Sequence, residues 1–203
     1  KNFNKPFFAT SPSEFWRRWH ISLSTWVRDY LYLPMVFKNR KSLGYVFASL
    51  MVTFFLLGLW HGAGWNFMIF GLLHGSYVGI DMILRSKYPS LQNRRFFSTK
   101  IGKLTSILFT QYLIFFAFIA FRVENFDHMS YAMMKFIFID FQTTELVNLI
   151  LQNKIPVILV FLFIILHFVS YMKKSLIDSI SALKIRYWIV FLIIIIGSIF
   201  YLY

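Results

Sequence analysis

Gly58-Leu59-Trp60-His61-Gly62-Ala63-Gly64-Trp65 crowds one histidine, two tryptophans and three glycines between two long apolar runs. Residues 45–57 before it and 66–80 after it carry no Lys, Arg, Asp or Glu. An ionisable side chain set so deep in apolar sequence is costly, and membrane proteins that keep one generally use it. A neutral imidazole has a lone pair that can take a proton from a hydroxyl, so His61 is the first candidate for a catalytic residue, as a general base. The plainer alternative is a buried helix-end packing element in a membrane scaffold.

Other polar residues in apolar surroundings are fewer and blander. His74 reads as a packed, hydrogen-bonded histidine, and Asp81 stands four residues before Arg85, the spacing of a helical ion pair. His128 reads as a surface residue, and His167 falls on a span near its cytoplasmic end. Gly71, Gly75 and Gly79 repeat every four residues, a doubled small-residue row along which a second helix can approach closely. No phosphate-binding glycine loop, dinucleotide fingerprint, metalloprotease helix or serine-triad signature is present. There is no cysteine, which excludes disulfides and thiolate metal sites, and the pattern implies no bound metal or cofactor.

The elements that must position these residues are helical and membrane-embedded. The 203 residues are 58% hydrophobic and 21% aromatic with only 14% charged, and the mean hydropathy is +0.62. A soluble domain of this size needs more polar surface, so the expected class is an all-α polytopic membrane protein. The net charge of +13 does not indicate nucleic acid, because the cations concentrate in short segments between apolar runs. Ser11-Pro12-Ser13-Glu14 has the form of a capped helix start. The helix expected from about 12 to 33 holds Glu14, Arg17, Arg18, Arg28 and Asp29, too many charges for a span. Its aromatic residues recur at three- and four-residue spacing, so it should lie at the interface or in a cleft, in contact with membrane lipid.

Five spans are expected at about 44–60, 64–84, 104–122, 155–172 and 187–203, each near the length that crosses a bilayer. Asn125-Phe126-Asp127 reads as the start of a short interfacial helix with Asp127 as cap, and 175–185 as another. The segments at 34–43, 85–103 and 173–186 carry 13 Lys/Arg against 2 in 61–63 and 123–154, which places the first set in the cytoplasm. His61 then lies toward the outer half of the membrane. The expected organisation is an aromatic-basic region over 1–43, a two-helix histidine segment over 44–84, and further spans over 85–203, together one incomplete domain. A chain that opens on Lys1 rather than methionine reads as a piece of something longer.

Three stretches carry a resemblance. They are Asn2-Phe3-Asn4-Lys5-Pro6-Phe7, Ser13 to Trp26 with Arg28-Asp29-Tyr30-Leu31-Tyr32, and Gly58 to Trp65 with Gly71, His74 and Gly75. Together with Phe121-Arg122 and Asn125-Phe126 they resemble the membrane-bound O-acyltransferase family, in the branch that acetylates bacterial polysaccharides such as alginate. The match is dense over 2–80, loose from 110 to 140 and absent from the last 60 residues. Val123 stands where that branch commonly has alanine. Family members are about twice this long, so the resemblance implies a C-terminal part.

The resemblance implies that His61 is the catalytic histidine and His20 the second active-site polar residue, histidine in this branch and asparagine in many others. It implies acyl transfer from a cytoplasmic thioester, acetyl-CoA or an acyl carrier, toward an extracytoplasmic polysaccharide or cell-wall glycan. A periplasmic or extracellular partner transferase finishes the modification, and the protein sits in the cytoplasmic (inner) membrane. A basic entrance for the anionic donor would draw on Arg17, Arg18 and Arg28, with Trp19 and Trp60 beside it. Two alternatives stay open: D-alanyl transfer to teichoic acid within the same family, and a non-enzymatic transporter or scaffold subunit.

Overall fold

A computed structural model of the chain describes residues 1–89, 95–138, 143–172, 183–190 and 192–193. Those residues form helices and no strand. They divide into two compact units, Lys1–Phe141 and Gln142–Tyr203, so the expected boundaries near 43 and 84 fall inside the first.

In the first unit, a 3-10 turn at Pro6–Phe8 leads into α1 (Pro12–Arg18). Ser11 Oγ accepts from Glu14 N, and Pro12 takes the first helical position, where its missing N–H is no loss. The Glu14 carboxylate reaches back to Thr10 rather than to Ser11, accepting from both its N–H and its hydroxyl at 2.7 Å. Burial pushes the Glu14 carboxyl up, but the hydrogen bonds from Thr10 and from Arg18 outweigh it and hold the group below the ordinary carboxylate value.

The single helix expected over 12–33 is broken at Trp19-His20. His20 adopts the left-handed conformation, with φ at 42°, and α2 (Ile21–Val27) starts in a new direction. The reason lies in residues 2–4, which run beside the break. Asn4 N donates to Arg18 O and Ile21 N to Asn2 O, both at 2.8 Å. Asn2 Oδ1 accepts from Ser22 N at 3.0 Å and Ser22 Oγ at 2.9 Å, which caps α2 from 20 residues away. From α2 the chain continues through a π-helical turn at Arg28–Tyr32 into α3 (Leu33–Val36).

Next come the antiparallel pair α4 (Leu43–His61) and α5 (Trp65–Lys87), joined by Gly62-Ala63-Gly64. Their crossing is set by glycine. A Cβ on Gly71 would overlap the Phe54 carbonyl oxygen, and one on Gly58 would overlap the Phe67 carbonyl oxygen and lie 3.3 Å from Gly71 Cα. On Gly75 it would sit 3.2 Å from Phe54 Cβ, and on Gly79 it would strike the Phe47 ring. The hydroxyls on α4 are satisfied within the helix, Ser49 Oγ donating to Tyr45 O and Thr53 Oγ1 to Ser49 O.

The short α6 (Arg95–Ser98) precedes α7 (Lys100–Arg122), whose cap is Thr99. Then comes α8 (Phe126–Ile137), where Asn125 rather than the expected Asp127 caps the helix, its Oδ1 accepting from His128 N at 3.0 Å. Asp127 instead supplies negative charge to the first turn, where the helix dipole favours it. Met129 of α8 is buried with Phe70, Ala117 and Ala120, which ties α5, α7 and α8 together. Ala9, Phe15 and Ile114 form a second cluster between the N-terminal segment and α7.

The second unit contains α9 (Thr143–Gln152) and α10 (Lys154–Met172), and α10 is apolar all round with no buried residue. Helices α4, α5, α7 and α10 are long and apolar enough to cross a membrane. The 19 residues of α4 extend about 28 Å, close to the hydrocarbon thickness. All four helices are slightly longer than the expected spans, most of all 100–122 rather than 104–122. Most of the expected span at 187–203, and the helix at 175–185, lie outside the described residues.

Two predictions follow from these contacts. Replacing Gly71 with Ala in the complete gene product lowers its melting temperature in detergent. Helix propensity gains about 1 kcal/mol, but the clash is with backbone, and overpacking costs about 1–3 kcal/mol or more. Gly44→Ala, whose Cβ would meet nothing nearer than 3.9 Å, is neutral or stabilising. Asn2→Ala removes the cap of α2 and destabilises by about 1–3 kcal/mol, while Asn2→Asp keeps the acceptor and most of the stability; the same melt measures both.

Candidate active site

His61 is the last residue of α4, and rings from two other helices converge on it. Phe121 of α7 meets it edge-on at 5.0 Å, Phe70 of α5 edge-on at 5.9 Å, and Phe67 lies at 6.3 Å. Its neighbour Trp60 stands at 4.9 Å. Phe121 also contacts both Phe67 and Phe70, so the three form one wall. The other side is open. The sequence leads one to expect a buried histidine, yet His61 is exposed, as are Trp60 at 65% and Trp65 at 75%. The physical reason is its place at a helix end, where the turn at 62–64 adds no side chain large enough to cover the ring.

His20 reaches the same region by a different route. Its neighbour Trp19 stacks on Phe15 at 5.5 Å and takes Phe3 on its edge at 5.0 Å. On its far side Trp19 meets Phe118 of α7 at 6.0 Å, and Phe118 stacks on Phe70 at 6.2 Å. A continuous run of ring contacts through Trp19, Phe118 and Phe70 thus links the His20 junction to His61, 41 residues away in sequence. The Asn2 amide Nδ2 lies 3.4 Å from His20 Nδ1. An amide nitrogen can only donate, so Nδ1 is the acceptor and Nε2 is left to carry the proton. His20 therefore presents an N–H, suited to hold an oxygen that gains negative charge, and His61 presents a base.

Of the arginines expected at a donor entrance, Arg17 is exposed. Arg18 is paired with Glu14 and also donates to the Lys5 carbonyl, and Arg28 is paired with Asp29 at 2.8 Å. A cavity of about 770 Å³ opens elsewhere, between α5, α7 and residues 10–12. Tyr77, Asp81, Arg85, Lys103, Phe109 and Thr110 help to line it. Arg85 Nε bonds Asp81 Oδ1 at 2.7 Å, the i,i+4 pair read from sequence, and Asp81 Oδ2 is buried without a hydrogen-bond partner among the described residues. The cavity lies at the opposite end of α5 from His61, about 24 Å along the helix from Trp65. Among the described residues no group of three His, Asp or Glu side chains could hold a metal.

His74 is fully buried and accepts a hydrogen bond from Trp16 Nε1 at 3.2 Å. His128 is exposed on α8. Sequence reasoning named Asn2 and Phe121 only as parts of matching stretches, and gave neither of them, nor Phe70, a role at the site. The phenylalanines carry no signal beyond their type, in a chain with 26 of them. Asn2 had one, as an amide beside the only other conformation-setting residues of that segment, Asn4 and Pro6.

The model of the membrane-bound O-acyltransferase family matches residues 1–119. Among curated relatives, the probable alginate O-acetylase AlgI of Azotobacter vinelandii is 40% identical over 127 residues, covering 63% of this chain and 23% of that protein. The peptidoglycan O-acetyltransferase of Helicobacter pylori is 39% identical, covering 62% and 23%. The teichoic acid D-alanyltransferase of Bacillus subtilis is 32% identical, covering 63% and 33%. The chain thus spans about a quarter to a third of the length of these relatives. A family match over more than half of the residues, laid across the segments that carry both histidines, makes this chain a member of the membrane-bound O-acyltransferase family.

Proposed function

We propose that this chain contributes the catalytic histidine pair of a multi-pass enzyme that moves an acyl group, acetyl in the leading reading, toward an extracytoplasmic polysaccharide or cell-wall glycan. The observation that carries the proposal is the continuous run of ring contacts, Trp19 to Phe118 to Phe70, that ties the His20 junction to His61 from two distant segments. His61 accepts the proton of the acceptor hydroxyl as its oxygen attacks the thioester carbonyl. The carbonyl oxygen gains negative charge and is held by the N–H of His20. Collapse of the tetrahedral intermediate breaks the C–S bond. The thiolate then takes the proton from His61, which returns to its neutral form.

The donor, acetyl-CoA or an acyl carrier, approaches from the cytoplasm, and a periplasmic or extracellular partner transferase completes delivery to the glycan in this reading. The excess of 13 Lys/Arg over 2 on one set of connections supports that orientation. The cavity beside Arg85 and Lys103 is the cationic opening that best fits an anionic donor. The enzyme would then reside in the cytoplasmic (inner) membrane. D-alanyl transfer to teichoic acid is the second reading. It is favoured by the B. subtilis relative, whose identity to this chain is lower than that of the O-acetylases.

Two measurements test the proposal. His61→Ala in the complete gene product, at equal membrane levels, lowers alkali-labile ester on the cell-envelope glycan at least a hundredfold, and unchanged ester ends the reading. Mass analysis of the released group separates acetyl from D-alanyl. Because this chain has no cysteine, single cysteines at Asn39, Ala63 and Glu124 report topology. In intact spheroplasts a membrane-impermeant maleimide labels the last two and reaches Asn39→Cys only after permeabilisation. The reverse pattern overturns the orientation.

A further inference from the structure

We infer that Trp16 and His74 form a positioning pair for acyl transfer, fixing His20 and His61 relative to each other through one buried hydrogen bond. The inference rests on the reading of those two histidines as the catalytic pair. His74 is fully buried on α5, and Trp16 lies on α1, 58 residues away in sequence. The indole N–H can only donate, so His74 Nδ1 is unprotonated and the proton resides on Nε2. Nε2 has no hydrogen-bond partner among the described residues; the rings of Phe15, Phe54, Phe70, Tyr77 and Phe118 surround the imidazole with centroids 4.6–6.5 Å away. The ring is therefore held in one tautomer and one orientation.

Each end of this bond leads to one catalytic candidate. Trp16 sits on the final turn of α1, which ends at Trp19 and His20, so anchoring its indole to α5 fixes where the break occurs. Phe70 lies one turn before His74 and packs against it edge-on at 4.6 Å, and the same ring walls His61 at 5.9 Å. No step of the transfer passes through His74, which is buried and walled by rings. Its part is to hold the two reacting segments in register, where displacement of about 1 Å is enough to slow a reaction markedly. Packing alone does not need an imidazole there, since a leucine would fill the space, but it would leave the indole N–H without an acceptor.

The test compares Trp16→Phe, His74→Leu, their combination and His74→Asn in the complete gene product, alongside His61→Ala. The readouts are the initial rate of glycan ester formation after induction, at matched membrane levels, and the thermal melt in detergent. The asparagine Oδ1 can stand where Nδ1 stood and accept from Trp16. The expected result is a loss of about tenfold or more in rate for Trp16→Phe and for His74→Leu. The double variant falls no lower than the worse single one, His74→Asn recovers to within about threefold of wild type, and the melts stay close together. Wild-type rates in Trp16→Phe, equal losses in His74→Asn and His74→Leu, or multiplying losses in the double variant each overturn the pair. Where His74→Leu does not accumulate, Trp16→Phe against His74→Asn decides. Wild-type ester in His61→Ala overturns the acyl-transfer reading itself, and the pair with it.

Discussion

The closeness of α4 to α5 is the constraint on which the rest depends. Gly58 and Gly71 bring two backbones together where any side chain would collide with a carbonyl. Between helices in lipid there is little hydrophobic drive to associate, so packing of this kind supplies much of the attraction. The crossing fixes the end of α4 against the first turns of α5. His61 and Phe70 meet for that reason, and Phe70 in turn carries α7 and α8 through Ala117, Ala120 and Met129. The small residues on α7 continue the logic of the glycine row: they let a third helix come near enough for Phe118 and Phe121 to reach across.

The second constraint is local and concerns the N-terminal segment. Residues 2–4 add no span and bury little surface, yet their backbone and side-chain hydrogen bonds decide where α1 stops and α2 begins. The aromatic residues around Trp19 then hold the break against α7. Hydrogen bonding therefore sets the conformation of the His20 junction, and ring packing sets its location. Such a division is economical in a membrane, where rings find partners easily and unpaired backbone groups are costly.

Much of this was legible in the sequence because its signals are local. Apolar runs of bilayer length gave four of the helices, Ser11 and Pro12 gave the start of α1, and four-residue glycine spacing gave the face that meets α4. The Asp81–Arg85 pair was readable from its spacing alone. What was not legible depended on distant partners. The break at His20 requires Asn2, and nothing within 12–33 marks it, since Trp-His-Ile-Ser is compatible with a continuous helix. Asn125 outcompetes Asp127 as a cap through geometry two residues apart, beyond the resolution of residue preferences. The exposure of the His61 ring was not legible, because apolar neighbours in sequence need not be neighbours in space at the end of a helix. The ring wall around it draws on two other helices, and the identity of those rings among many phenylalanines is a property of the fold.

The left-handed backbone at His20 carries one more implication. Among residues with a side chain, only a few visit that conformation readily, and they are mainly Asn, Asp and His. The chemistry that the proposed role would ask of the position is a polar group that can donate to oxygen. The two filters overlap in asparagine and histidine, the same two residues that the resemblance implies for this position across the family. Evolution's latitude here would then be governed as much by a torsion angle as by reactivity. Glycine, the residue best suited to the torsion, lacks the polar group that the proposed role needs, so under that role the junction holds a backbone strain in exchange for its side chain.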